Sequence, residues 1–289
     1  MTKQSKSRRY ILISPVKDEA LHIEETIRSV IGQTIRPAKW IVVDDGSTDG
    51  TPQLLRKYTE EHGWIQVHRI ERNAERQPGT AVIRAFNHGY ERIGDSEYDF
   101  LAKLDCDLRF ERDYFEKLIQ RFESHDRLGI ASGVYLENKS GKWVAVEMPD
   151  YHAAGASKFM RRKCFEEIGG FLPARGWDTV DEIKAYGKGW ESCHFKDVCF
   201  YHLKREGSGI GNLKTNLMHG EIFYLTGGSR LFFLLKVLHR LAMGTPPVVA
   251  GLCMLAGYLK PALSGKKLIV SDEEARLYKR LLLKRLIPV

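Results

Sequence analysis

Several common signatures are missing from this chain, and each absence removes a class of protein. Its five cysteines, Cys106, Cys164, Cys193, Cys199 and Cys253, form no CxxC pair. An odd count with no secretory leader argues against a disulfide scaffold and for reduced thiols in the cytosol. Cys193, His194, Cys199 and His202 match none of the usual structural zinc spacings, so packed apolar thiols are the plainer expectation. The phosphate loop GxxxxGK[ST] is absent, which removes the usual ATPases and GTPases. A Rossmann dehydrogenase needs a glycine-rich turn after its first strand, and SPVKDE at residues 14–19 holds no glycine. Only seven apolar or small residues, 10–16, precede Lys17, Asp18 and Glu19. That is too short for a signal-peptide core. No internal repeat and no low-complexity linker divides the chain.

What is present suits one large domain, or a domain with an appendage, because 43% of the 289 residues are apolar. The net charge of +8 is unevenly spread. Residues 1–9 carry +4, residues 227–289 carry +8, and the stretch between sums to −4. A nucleic-acid binder is expected to place basic stripes and aromatics on its folded domain. Here the excess lies at both ends beside apolar sequence, which suits an anionic membrane surface and no nucleic acid.

Along the chain, strand and helix patterns alternate. YILIS at residues 10–14 reads as a buried strand, followed by a helical pattern through Leu21, Ile23, Ile27, Val30 and Ile31. WIVVDD is a second strand of β-branched residues, and GSTDGTP is a turn opening a helix. Then come strand-like IQVHRI, a helix from Thr80 to about Ile93, and the strand YDFLAKL. This order predicts an α/β fold with a mostly parallel twisted sheet flanked by helices. Beyond residue 112 the pattern is mixed, with a helix over residues 114–122, strands in LGIASGVYL, WVAVEM and VCFYHL, and helices near residues 161–168 and 178–186. After Gly211 the sequence turns helical, apolar and basic. A boundary is expected there, between residues 1–226 and a helical C-terminal extension over 227–289.

Three acidic clusters fall at strand ends: Asp18 and Glu19, Asp44 and Asp45, Asp105 and Asp107. Ligands of an open parallel sheet sit beyond the carboxyl ends of its strands. A nucleoside offers base N–H groups and ribose hydroxyls to carboxylates. A diphosphate is repelled by them unless Mg²⁺ or Mn²⁺ lies between, and such ions take one or two carboxylates together with phosphate oxygens. Asp105 and Asp107 alone also fit a simpler role, capping a helix that starts near Arg112.

Together SPVKDE, IVVDDGSTDGT and, some sixty residues later, LDCDL resemble the family 2 glycosyltransferases, inverting enzymes of the GT-A, nucleotide-sugar-binding fold. The resemblance covers residues 10–205. It implies that Pro15, Val16 and Glu19 line a nucleoside pocket, that Asp45 faces the base and that Asp105 approaches the ribose. It further implies that Asp107 binds the metal, with His202 completing that site, and that Arg84, five residues after Gly79, reaches the donor phosphates. The general base of the family follows a glutamate in an acidic pair about a dozen residues before a Gly-Trp. Counting back from Gly189 and Trp190 places Asp178 on the base and Trp177 where the glutamate would be. That departure leaves Asp181 and Glu182 in contention, and Asp178 is also a natural helix N-cap. Trp177 fits either a stacking platform for an acceptor sugar or the core.

The implied activity is metal-dependent transfer of a sugar from a nucleoside-diphosphate sugar to a saccharide or lipid-linked acceptor in cell-surface glycan synthesis. A sugar nucleotidyltransferase would need a Gly-rich, Arg-containing first loop. A non-catalytic sugar-nucleotide-binding or membrane scaffold protein is the alternative. Residues 241–259 hold no charge but are divided by Pro246 and Pro247, so shallow insertion is expected rather than a span. The last segment has Ser271 and Glu274 in capping-box spacing and leucines interleaved with Arg276, Lys279, Arg280, Lys284 and Arg285. Such a helix lies on an anionic surface, which predicts peripheral attachment to the cytoplasmic face of a membrane.

Overall fold

The computed structural model describes residues 8–70, 80–204 and 211–286. The first half alternates as expected: β1 (Tyr10–Val16), α1 (Ile23–Ile31), β2 (Lys39–Asp44), α2 (Thr51–Glu61), β3 (Ile65–Arg69), α3 (Thr80–Tyr90) and β4 (Phe100–Leu104). After it come β5 (Leu108–Phe110), α4 (Tyr114–Ser124), β6 (Leu128–Lys139), β7 (Lys142–Ala145), β8 (Ser157–Arg161), α5 (Arg162–Glu167), α6 (Trp177–Gly187) and β9 (Glu191–His202). Four helices follow: α7 (Asn212–Leu225), α8 (Arg230–Met243), α9 (Val249–Leu263) and α10 (Asp272–Lys284).

The strands form one sheet in the order β3-β2-β1-β4-β8-β6-β9-β5, with β7 paired to β6. β1, β2, β3 and β4 are mutually parallel. In the other half only β6 and β9 run parallel, while β4–β8, β6–β8, β6–β7 and β5–β9 are antiparallel. The parallel character thus belongs to the first four strands. β8 was not visible as a strand because two of its five residues, Ser157 and Lys158, are polar yet fully buried. Only the second half of β9 has a strand-like sequence, and a register shift against β6 separates it from the polar first half. WVAVEM yields a strand only as far as Ala145.

β1 sends alternate side chains to opposite faces. Tyr10 and Leu12 join a core with Trp40, Phe115 and Phe159, and Ile11 and Ile13 join a second with Ile41, Phe86 and Phe165. All four β1 residues are 0% exposed, as a central parallel strand covered on both faces must be. Leu21, by contrast, is 91% exposed and precedes α1, so the expected apolar face of that helix begins only at Ile23. Two polar groups within this core have partners: the Tyr10 hydroxyl donates to the Ile35 carbonyl at 2.6 Å, and Trp40 Nε1 donates to Ser14 Oγ at 2.9 Å.

The C-terminal helices have their own core, with Ile183, Phe223, Phe233, Val237, Met254, Tyr278 and Leu282. α7 crosses α9 so closely that a Cβ on Gly220 would collide with the Met254 carbonyl, and one on Gly257 with that of Leu217. Pro246 and Pro247 fall between α8 and α9. The expected capping box starts α10: Ser271 Oγ accepts from Glu274 N at 3.2 Å, and Glu274 Oε2 accepts from Ser271 N at 2.7 Å. Among the described residues no helix is long and apolar enough to cross a membrane.

Candidate active site

The loops after β1 and β2 are sewn to each other. Asp18 Oδ1 accepts from Thr48 N at 2.8 Å, and Asp18 N donates to Ser47 Oγ at 3.0 Å. Asp49 accepts from Ala20 N at 3.0 Å, and Glu19 N donates to Thr51 Oγ1 at 2.9 Å. Asp18 pays for this with a positive φ of 54°, a backbone state that persists only where surrounding bonds enforce it. The DDGSTDGT stretch is therefore a built cradle. Its first aspartate, Asp44, is 1% exposed and structural: it accepts from Ser47 N at 2.8 Å and pairs with Arg69 at 2.9 Å. Asp45 bonds through its own N–H to the Val16 carbonyl at 2.9 Å, which places it at the joint carboxyl ends of β1 and β2 beside Pro15 and Val16.

The LDCDL stretch leaves β4 and enters β5. Neither carboxylate caps α4, whose N-cap residue is Asp113. Asp105 pairs with Lys103, whose ammonium also donates to the Gly155 carbonyl at 2.9 Å. Burial pushes the Asp105 carboxyl up, the Lys103 ammonium pulls against that, and Asp107 adds like-charge repulsion. Asp107 lies 3.4 Å from His202 Nε2. The β5–β9 ladder sets Leu108 opposite His202, and Leu203 N donates to the Asp107 carbonyl at 2.8 Å. Burial pushes the Asp107 carboxyl up, but the His202 hydrogen bond and charge, with Lys204 and Lys103, overcome it and leave it lowered. Glu19 pairs with Lys204 at 2.9 Å. Burial raises Glu19, Lys204 pulls it down and Asp107 pushes it up, so the acids of the first and third clusters share one field.

Among the described residues no three His, Cys, Asp or Glu side chains form a ready-made metal cage. One carboxylate and one imidazole 3.4 Å apart instead suit an ion that takes its remaining ligands from phosphates and water.

α6 supplies the opposite wall. Asp178 is in its first turn but does not cap it, since the N-cap is Gly176, left-handed with φ 81°. A methyl group built on Gly155 would lie 3.4 Å from Asp178 Cβ and 3.5 Å from Asp178 Oδ2. Gly155 therefore joins Asp178 to Lys103 and Asp105. Trp177 is core, 7% exposed, with its ring 4.8 Å from that of Phe171 and the Lys103 and Lys158 ammonium groups at 5.4 and 5.3 Å. It is no stacking platform for a sugar.

Asp181 and Glu182 are 1% and 3% exposed and committed elsewhere. Lys158, 0% exposed, donates to both Asp181 oxygens at 2.9 and 3.0 Å, to Glu182 at 3.3 Å and to the Asp178 carbonyl at 2.7 Å. Glu182 also accepts from Ala153 N at 2.8 Å and pairs with His152 at 3.0 Å. Burial opposes charge on Lys158, but the two carboxylates outweigh it and hold its pKa up at about 12. Of the three acids on α6, Asp178 alone has its carboxylate outside this network. Arg84 is exposed on α3, its spacing partner Gly79 lies outside the described residues, and among the described residues no contact joins Arg84 to the cleft. Sequence reasoning missed Lys103, Lys158 and Lys204, since a lysine in a strand or loop carries no pattern of its own.

The strand order, the acid-lined sheet end and the wall formed by α6 define a GT-A glycosyltransferase fold. The family described as Glycosyl transferase family 2 matches residues 11–172, and the chain belongs to that family. Asp178 and His202 lie beyond the matched stretch. The chain is 34% identical over 109 residues to a putative teichuronic acid biosynthesis glycosyltransferase, TuaG, of Bacillus subtilis, over 38% of this chain and 40% of that protein. It is 27% identical over 135 residues to a poly-beta-1,6-N-acetyl-D-glucosamine synthase of Staphylococcus aureus, over 46% of this chain and 30% of the relative. The chain thus spans well under half the length of these curated relatives. A mannosyltransferase of Pyrobaculum calidifontis, solved with GDP-Man and Mn²⁺, superposes with a TM-score of 0.56 at 19% identity, over 98% of this chain and 82% of that one.

Proposed function

We propose that the protein is a metal-dependent inverting glycosyltransferase. It moves a sugar from a nucleoside-diphosphate sugar to a saccharide or lipid-linked acceptor in cell-surface glycan synthesis. The observation that carries this reading is the meeting of Glu19, Asp105, Asp107 and His202 at one end of the sheet, with Asp178 facing them across Gly155. The names of the two bacterial relatives support a cell-surface glycan as product. Pro15, Val16, Glu19 and Asp45 are assigned to the nucleoside, and Asp105 to the ribose. Arg84 is assigned to the donor phosphates on the family resemblance alone.

Asp107 and His202 would hold Mn²⁺ or Mg²⁺, an ion that stabilises the charge of the departing diphosphate when bound. Lys204 and Lys103 place further positive charge beside the cluster. Asp178 accepts the proton of the acceptor hydroxyl at its carboxylate. The Lys158 network fixes the turn that carries it, and direct in-line attack by the deprotonated hydroxyl inverts the anomeric centre without a covalent nucleophile. The non-catalytic alternative draws on the departure at Trp177, and turnover of the donor by wild type but not by Asp178→Asn would remove it.

The division into a catalytic part, 1–226, and a membrane-associating part, 227–289, belongs to the same proposal, with α7 joining the two. Leu231, Leu234 and Leu238 on α8 and Leu252 on α9 are all more than half exposed. With the basic excess of this region they suit a cytoplasmic, peripheral position on an anionic membrane. The test of function is a thermal-shift panel of nucleoside-diphosphate sugars with and without Mn²⁺. One nucleotide series is expected to stabilise the protein, more strongly with metal. No response to any donor with metal present refutes the reading.

A further inference from the structure

The face of α7 that meets the start of α6 carries a second group of charges. Ile222 packs on Gly176, two residues before Asp178, and a Cβ at that glycine would lie 2.7 Å from the Ile222 side chain. The ion pair of Arg175 with Glu221, 2.8 Å, closes the same junction. His219 is one turn before Ile222 and so faces the same way. Phe223, the next residue, stacks on Phe232 of α8 with ring centroids 6.4 Å apart and planes 1° from parallel. Lys236 Nζ lies 5.8 Å from the Phe223 ring, and Arg285 Cζ lies 5.1 Å from the Phe232 ring. Two cations, one on α8 and one just past the end of α10, thus stand over one aromatic platform, and Arg240 follows Lys236 one turn along α8.

Among the described residues no ion pair joins Lys236, Arg240 or Arg285 to a carboxylate, whereas Glu221 nearby is taken by Arg175 and Lys266. Burial, then Arg240 and Arg285, push Lys236 down to about 8. His219 is pushed to about 4 by burial, Lys236 and Arg240, against the opposing pull of Asp178. The cations and Asp178 therefore act on one histidine. Lys236 and Arg240 are half-buried, and Arg285 is exposed with a hydrogen bond to Tyr151; like charges gathered without a paired carboxylate cost stability, and a bound anion offsets that cost.

We propose that Lys236, Arg240 and Arg285 hold a phosphate group of the sugar acceptor beside Asp178. This rests on the glycosyltransferase reading above and adds the class of acceptor, a phosphate-bearing molecule whose hydroxyl is presented to Asp178 while its phosphate sits on the platform. The phosphate could belong to a lipid carrier or to a free phosphosaccharide.

The test is calorimetric titration of the full chain, in EDTA, with inorganic phosphate, decyl phosphate and decyl maltoside. Wild type is expected to bind decyl phosphate, and Lys236→Gln and Arg240→Gln to weaken that binding about tenfold or more, the size of a lost charge-assisted hydrogen bond. Arg285→Gln, at an exposed helix end, serves if either α8 variant loses its native circular dichroism. Equal binding of inorganic phosphate identifies a soluble phosphosaccharide as the source, and tighter binding of decyl phosphate a lipid carrier. The proposal is overturned if decyl maltoside binds as well as decyl phosphate, if the variants bind like wild type, or if Asp107→Asn abolishes binding and so places the phosphate in the donor cleft. In each of those cases wild type still binds its nucleotide with Mn²⁺, whereas loss of nucleotide binding would refute the glycosyltransferase reading itself.

Discussion

Replacing Lys158 by methionine tests the buried network that sets the first turn of α6. The two side chains are similar in length, so the change removes a charge and little volume. Lys158 is 0% exposed and is the only ammonium among the described residues bonded to Asp181 and Glu182. Removing one partner of a buried ion pair costs about 3–5 kcal/mol because the other charge is left uncompensated. Glu182 retains Ala153 N and His152, so the loss falls chiefly on Asp181. At roughly 2–4 °C per kcal/mol for a chain of this size, the melting temperature should drop by about 6–20 °C. Adding Asp181→Asn should restore much of it. The surviving folded enzyme should also show a lower kcat with little change in donor KM, because Lys158 Nζ no longer holds the Asp178 carbonyl at 2.7 Å. Thermal unfolding by near-ultraviolet circular dichroism reads the first effect and initial rates the second. Burial already raises the Asp181 carboxyl to about 8 even beside Lys158, so the measurement belongs above that pH, where the carboxylate cannot escape by taking up a proton, and a Lys158→Met melting temperature within about 2 °C of wild type there would refute the reasoning.

Asp178→Asn should lower kcat about 10²–10⁴-fold while leaving donor binding by thermal shift intact, as loss of a general base requires. Burial opposes a charge on His152, but the charge and hydrogen bond of Glu182 prevail and raise its pKa above the usual 6.5. The stability from that pair is complete below about 6.5 and fades as pH rises through the raised folded value. The difference in unfolding free energy between wild type and His152→Gln should therefore shrink from pH 6 to pH 9. Leu234→Glu with Leu238→Glu should abolish cosedimentation with vesicles containing anionic lipid and leave donor binding unchanged. Gly220→Val should destabilise the protein by at least about 1–3 kcal/mol, measured in urea, because a side chain there forces α7 and α9 apart.

The donor side of the cleft was legible at the level of residue type. SPVKDE, VDDGSTDGT and LDCDL each end a strand, and the continuous apolar runs of β1 and β2, buried on both faces, fix where those ends lie. Within the motif the sequence did not separate Asp44 from Asp45. Only the bonds to Ser47 N and Arg69 make the first a strut. The antiparallel half was less visible. β8 places a lysine at the centre of a core, and that reads as a strand only once Asp181 and Glu182 are known to face it.

Local chemistry wrote down the alternation of strands and helices, the acids at strand ends and the basic, leucine-rich tail, because periodicity and turn residues act over a few positions. Tertiary contact decided which acids on α6 are tied to Lys158, which tryptophan is core and which cations stand without carboxylates among the described residues. Those outcomes depend on residues brought together across 20 or more positions, such as Lys158 with Asp181. There the cost of leaving a charge unpaired in the interior, rather than any local preference, selects the partner.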